Sequence, residues 1–458
     1  MIPGRKNELG YLNTAYGSDK NSLLIVYGQK GVGKTTLLMD FAKGKDCVYY
    51  LAAQASEREH RYLFCSMPQF KDAFSTDYPD WTELMDAVLG MGTEKKVLII
   101  DEFENIVRSD PQFMDAILHL LGNDQRQVMI IFSSSAVGFV ENRLVGRIGR
   151  AALSITGFLK IRPLKYEDIS AVFSDYNIED RIAVLAILGG IPGLWKYFDP
   201  QIPLKQNIIE NILTPGKPLF NYGCCLVTDL VREGAVYSTI LAGIARGYDK
   251  LGELYEHTLF SRAKLSVYLK NLMELELIEK TFSIDTRGRD MQRKGIYKIC
   301  FPFALFWFKY IYPNISTLYM TEPSQFYEKY IGNDLFNYSK DTFSSLCRSY
   351  MDELAKRDVF DFEIERSGVF DGKRGYMDYL GFDELDMKCV AAFSCYDKPY
   401  MPYEDYEKAV KSLADAKAGA DIIYLFARDG FDEKIKLKAS MEQGRLRLLT
   451  MNDWLGER

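Results

Sequence analysis

Residues 28–35 read GQKGVGKT, a glycine-rich loop ending in Lys-Thr that satisfies G-x-x-x-x-G-K-[ST] at every fixed position. Its flanks fit as well. The apolar run 22–27 (SLLIVY) reads as a buried strand, and 36–42 (TLLMDFA) opens a helical pattern. A loop between strand and helix aims several backbone N–H groups and the positive helix end at one point, which suits phosphate. Gly28, Gly31 and Gly33 allow the turn and the close backbone approach. Lys34 is expected to reach the β- and γ-phosphates and Thr35 to ligate Mg²⁺. Thr36, the next residue, is expected to be a further nucleotide contact.

A second set of groups must lie beside that loop. Residues 97–104 (VLIIDEFE) form an apolar strand ending in carboxylates. At such an end Asp101 would hold Mg²⁺, directly or through water, and Glu102 would polarise the attacking water. No Asn-Lys-x-Asp guanine signature occurs, so ATP is favoured over GTP. Residues 128–132 (VMIIF) make another buried strand, followed by three serines. Ser134 is expected to sense the γ-phosphate, with Ser135 as the alternative. Arg143, Arg147 and Arg150 follow; Arg147 is the favoured arginine finger, acting within the chain or from a neighbouring subunit.

The elements that carry these groups belong to a chain of 458 residues, enough for two to four domains. A hydrophobic content of 47% supports packed cores, and a net charge of −6 excludes a globally basic nucleic-acid coat but not a local basic face. The N-terminus, MIPGRKNE, lacks a signal-peptide core, and the longest apolar run (301–308) is too short to span a bilayer. Three histidines (His60, His119 and His257) and eight scattered cysteines argue against a zinc site. A cytoplasmic protein with reduced thiols and no membrane partner is the expectation.

Further blocks carry a family likeness. Pro3-Gly4-Arg5 with Glu8 resembles an opening F-x-G-R-x-x-E box, and 144–147 (LVGR) an L-x-G-R segment. Residues 161–164 (IRPL) match an L-x-P-L/F strand end, and 189–192 (GGIP) a G-G-x-P motif. Together with the two nucleotide motifs, these resemble the archaeal-type P-loop ATPases of the AAA+/STAND class. That family carries a winged helix and a C-terminal PD-(D/E)XK nuclease-like domain of unknown function. The resemblance implies that Pro192 lies near the adenine; the residues alone read equally well as a helix terminator.

The implied organisation is α/β throughout. It comprises a P-loop NTPase parallel sheet (1–165), a helical lid (166–215), a winged helix-turn-helix (216–320) and a restriction-endonuclease-like domain (336–458). A Pro/Gly cluster at 214–218 marks a linker. In the winged helix, Ser261 caps a helix that buries Leu265, Leu269, Leu272 and Met273. Its other face shows Arg262, Lys264, Lys270 and Asn271. A hairpin wing would carry Lys280, Arg287, Arg289, Arg293 and Lys294 against Asp285 and Asp290. Residues 261–294 hold eight basic and five acidic residues, a positive stretch in an acidic chain. Double-stranded DNA in the major groove and intramolecular docking both fit it. The segment 297–307 resembles the family's Y-x-I-x-D-P-x-x-x-F-W, with Phe301 in place of Asp.

The C-terminal domain shows the family frame without its chemistry. The resemblance places the first acid at Asp378, and Phe393 and Cys395 at the positions of Glu and Lys on the next strand. Ser344 stands where the first helix has Glu. Phe393 is expected to face Asp378 and fill the former metal cavity, so the nuclease would be inactive; Asp383, Glu384 or Asp386 are alternative ligands. One carboxylate cannot organise a hard dication. The reading that results is an ATP-hydrolysing switch or motor binding ATP and Mg²⁺, with DNA, a protein partner or a second copy as its target. An ATP-dependent DNA nuclease and a non-hydrolysing ATP-bound regulator are the alternatives.

Overall fold

The computed structural model describes the chain except residues 1–3, 71–72, 92–93, 111, 124–126, 229–232, 287–294, 373–374, 386, 417, 443 and 457–458. The chain divides into two compact units. The first comprises 1–168, 190–196 and 274–276, and the second 169–189, 197–273 and 277–458. The segment 166–215 is thus shared between the units.

The first unit is built on strands β1 (Ser22–Tyr27), β2 (Cys47–Leu51), β3 (Lys96–Asp101), β4 (Val128–Ser134) and β5 (Ile155–Lys160). They form one parallel sheet in the order β2-β3-β4-β1-β5. Strands β3 and β4 are buried along their whole length, as expected of continuous apolar runs covered by helices on both faces. Aromatic rings fill one face: Phe103 stacks on Phe132 at 4.6 Å between centroids, and Trp81 meets Phe113 edge-on at 5.0 Å. Because β1 and β3 flank β4, their C-terminal ends lie together, and the loops that follow them converge there.

The second unit contains helices Gly234–Ala245, Leu251–Thr258 and most of Arg262–Glu274, then the antiparallel pair β6 (Ile278–Thr281) and β7 (Ile296–Ile299). Helix Arg262–Glu274 buries Leu265, Leu269 and Leu272, as its spacing predicts, and exposes Arg262, Lys264, Val267 and Lys270. The basic wing residues Arg287, Arg289, Arg293 and Lys294, with Asp290, lie outside the described residues.

A second sheet follows. It contains β8 (Arg366–Gly372), β9 (Gly375–Phe382), β10 (Cys389–Cys395), β12 (Ile422–Ala427) and β14 (Leu446–Thr450) in the order β14-β12-β10-β9-β8. The short strands β11 (Tyr400–Met401) and β13 (Gly430–Phe431) pair separately. Strands β10, β12 and β14 are parallel, whereas β8 and β9 run antiparallel to their neighbours. Residues 283–284, just past β6, fasten onto the edge strand β8. Ile284 donates its N–H to Val369 O (2.8 Å), Arg366 donates to Ile284 O (3.0 Å), and Asp371 N–H donates to Ser283 Oγ (2.9 Å).

One expectation is corrected here. The β8–β9 register shifts where Gly368 faces Leu380 but Phe370 faces Met377, so the alternation of β9 breaks around Asp378. Phe393 and Cys395 point into the apolar core that β10 shares with Tyr406 and Leu413 of helix Tyr403–Asp415. Asp378 turns to the opposite face, toward helix Leu335–Lys356. There it accepts hydrogen bonds from the Ser344 hydroxyl and from the Ser394 N–H at 2.6 Å. Phe393 therefore does not fill the space beside Asp378. The residues on that face are Ser394 of β10 and Tyr396 just past its end, one position along from the expected pair.

Candidate functional site

The loop 28–33 leaves β1 and delivers the chain into helix Lys34–Ala42. At Gly28 (φ 156°) a Cβ would lie 2.3 Å from Ile161 O, so only glycine permits this approach. Gly33 caps the helix at φ 101° without a side chain. The first intrahelical bond runs from Leu37 N–H to Gly33 O (3.0 Å), so the N–H groups of Lys34, Thr35 and Thr36 precede the helical ladder. This cluster of donors at the helix N-terminus suits an anion. Arg5 holds the loop from below: its guanidinium donates to Val32 O (3.0 Å) and Arg162 O (2.7 Å) and pairs with Glu8 (2.8 Å). Gly193 N–H, beside Pro192 in the short helix Pro192–Trp195, donates to Gly31 O (2.9 Å).

Lys34 is 5% exposed, and its Nζ donates to Gly28 O (2.8 Å), Gln29 O (3.2 Å) and Ser135 Oγ (2.9 Å). Burial pulls its pKa down, opposed by the charges of Glu102, Asp101 and Glu104. Thr35 Oγ1 donates to Asp101 Oδ2 (2.8 Å), joining the helix start to the end of β3. Tyr49 on β2 donates to the same oxygen (2.9 Å), and burial followed by the Asp101 charge raises that phenol well above its usual value.

Glu102 occupies the left-handed region (φ 54°), which is uncommon and strained for a non-glycine residue. There its carboxylate accepts the Ser135 N–H (3.0 Å) and the Ser135 hydroxyl. Ser134 is fully buried and its Oγ accepts the Ala136 N–H (3.0 Å). The serine that meets both Lys34 and Glu102 is thus Ser135. Glu104, which opens helix Glu104–Ser109, is 4% exposed and faces Glu102; sequence reasoning gave it no role. Tyr49 was also missed, since an aromatic residue in a strand carries no polar signature.

Arg147 lies at the other end of helix Glu104–Ser109. It donates to Val107 O (3.2 Å) and Arg108 O (2.9 Å), closing the helix C-terminus, and lines a cavity of about 140 Å³ with Asp110, Met114 and Ala151. A six-residue helix is about 9 Å long, so this guanidinium is engaged one helix length from Glu102. Arg143 pairs with Glu274 (2.6 Å) and Arg150 with Asp115 (3.3 Å).

Known proteins resemble the chain at several levels. Residues 4–198 match a family described as an ATPase domain predominantly from Archaea, and residues 307–395 one described as archaeal and bacterial proteins of unknown function. An uncharacterized protein of Methanocaldococcus jannaschii is 25% identical over 407 residues, covering 85% of this chain and 86% of the relative. Among solved structures, a Walker-type ATPase of Pyrococcus abyssi superposes with a TM-score of 0.51 at 16% identity, covering 68% of this chain and 96% of that one. The Aeropyrum pernix ORC2 protein gives a TM-score of 0.43 at 13% identity, covering 70% of this chain and 95% of its own. Residues 4–198 thus resemble an archaeal-type ATPase domain, their parallel sheet has the P-loop fold, and residues 307–395 are similar to proteins of unknown function.

Proposed function

We propose that this chain binds ATP with Mg²⁺ at the end of β1 and β3, hydrolyses it, and uses the cycle as a switch for its second unit. One observation carries the reading: Lys34 and Glu102, from different elements, meet on Ser135, while Thr35 and Asp101 bond directly beside them. The donor set fits Mg²⁺. A hydroxyl and a carboxylate offer hard oxygens, and the carboxylates of Asp101 and Glu102 face one lysine, leaving negative charge for a cation to balance. Thr35 and Asp101 would hold the ion, which supplies charge neutralisation on the phosphate oxygens.

Lys34 exchanges its Gly28 and Gln29 carbonyls for β- and γ-phosphate oxygens. The N–H groups of Lys34, Thr35 and Thr36 hold the remaining oxygens, and Pro192 stands against the loop toward the base. Glu102 accepts a proton from the attacking water. Ser135 is the reporter: phosphate at Lys34 competes for its hydroxyl, which couples nucleotide state to the position of Glu102.

ATP titration and turnover assays test this. Lys34→Ala should weaken ATP binding by at least about 100-fold, because a buried charge aimed at phosphate is lost. Glu102→Gln should leave binding within about threefold and slow turnover by at least about 100-fold. Binding that survives Lys34→Ala unchanged would sink the site. A second reading, in which the unit also contacts duplex DNA, rests on the exposed Arg262, Lys264 and Lys270.

A further inference from the structure

Glu102 and Glu104 are two carboxyl groups in contact inside a largely buried cluster. Glu104 is 4% exposed, its Oε2 has no hydrogen-bond partner, and its carboxyl group lies within hydrogen-bonding reach of Glu102 and of the Ser134 hydroxyl. Two carboxylates in that arrangement repel unless one proton lies between them. Two features favour Glu104 as the group that holds it. Glu102 already accepts two hydrogen bonds, from the Ser135 N–H and the Ser135 hydroxyl, and so serves as the acceptor in this pair. Glu104 is the more deeply buried of the two.

We propose that Glu104 is a positioning residue for Glu102: it holds one proton and donates it to the Glu102 carboxylate, fixing that carboxylate for its work on water. No proton is transferred, and Glu102 stays ionised and able to accept one from water. The inference rests on the reading of Glu102 given above. Burial first, then the Glu102 charge and the hydrogen bond to it, raise the Glu104 pKa to about 7. The surrounding charges are Lys34 from helix Lys34–Ala42, Asp101 at the end of β3 and Glu102 in the turn. Strand β4 and the residue after it contribute the uncharged Ser134 and Ser135. The strained backbone at Glu102 fits this role, because a side chain on an unfavourable backbone needs fixed partners to hold its direction.

The test compares Glu104→Gln, which keeps shape and a neutral donor, with Glu104→Ala in the full chain with Mg²⁺ and ATP. Glu104→Gln should keep kcat within about threefold, and Glu104→Ala should lower it at least about tenfold with KM within about twofold. Wild-type kcat should fall as pH rises through about 7, where the proton leaves, and this limb should vanish in Glu104→Gln. A second readout needs no turnover. The folded protein holds this proton up to about pH 7, whereas an unfolded glutamate releases it near its ordinary value of 4.5. Wild-type stability is therefore lost as pH rises between those values. Glu104→Gln should melt about 3 °C above wild type at pH 8 and together with it at pH 4.5. Equal impairment of the Gln and Ala variants, an unchanged alkaline limb, or a melting difference that ignores pH would overturn the proposal. Failure of the parent reading looks different: Glu102→Gln would leave turnover untouched while the melting difference persists.

Discussion

Arg5 connects two backbone carbonyls that no regular element satisfies, Val32 in the phosphate loop and Arg162 after β5. One guanidinium nitrogen donates to both carbonyls while the other holds Glu8, a planar three-partner arrangement that the single nitrogen of a lysine does not reproduce. Arg5→Lys should therefore destabilise the first unit by about 2 kcal/mol in urea unfolding and weaken ATP binding several-fold. An unchanged unfolding midpoint would show that the loop does not need the tether. The neighbouring residues show what the sequence can reveal at this scale. The positions of Lys34 and Thr35 at a helix start and of Asp101 and Glu102 at a strand end were readable from their fixed spacing to the apolar runs. The choice between Ser134 and Ser135 was not, since one residue of strand ending decides which hydroxyl turns inward. Arg147 closes a helix C-terminus within this chain, a place that an arginine after the sheet serves as readily as a phosphate.

Elements whose pattern is continuous were legible, and those defined by an interruption were not. The apolar runs of β1, β3 and β4 state a parallel, doubly covered sheet, and the helix Arg262–Glu274 buries the leucines its period predicts. The irregularity in β9 leaves no mark in the sequence, yet it moves Asp378 to the other face and pairs it with Ser344 and Ser394. The docking of residues 283–284 on β8 was equally hidden, because each of its three hydrogen bonds uses a backbone group, which any residue supplies. It ties the segment after β6 to the C-terminal sheet, and it covers part of an edge strand that would otherwise be open. Ile284→Pro removes the N–H that bonds Val369 O. Amide exchange at Asp371, whose N–H is held by Ser283 Oγ, should then accelerate about tenfold, while β1 and β4 keep their protection. Exchange that stays slow at Asp371 would mean that β8 is held without this segment.

For the whole molecule, a chain of net charge −6 binds nucleic acid only through a local concentration of cations. Arg262, Lys264 and Lys270 provide one on the solvent side of a single helix. Three phosphate contacts imply a slope near −2.7 for log affinity against log salt, or about 40-fold weakening between 50 and 200 mM. Lys264→Glu with Lys270→Glu should abolish that dependence and leave ATP turnover near wild type. A flat salt response in the wild type would assign the face to protein docking. Binding there would not bring cutting. Asp378 has two serines beside it, and among the described residues no three His, Cys, Asp or Glu side chains gather as a metal site. A phosphodiester bond needs a dication held by several oxygens and a charge to stabilise the leaving group. Plasmid and linear DNA should therefore stay intact with Mg²⁺ or Mn²⁺, with and without ATP. Cleavage that disappears in Asp378→Ala would make this face a nuclease centre assembled from a single carboxylate.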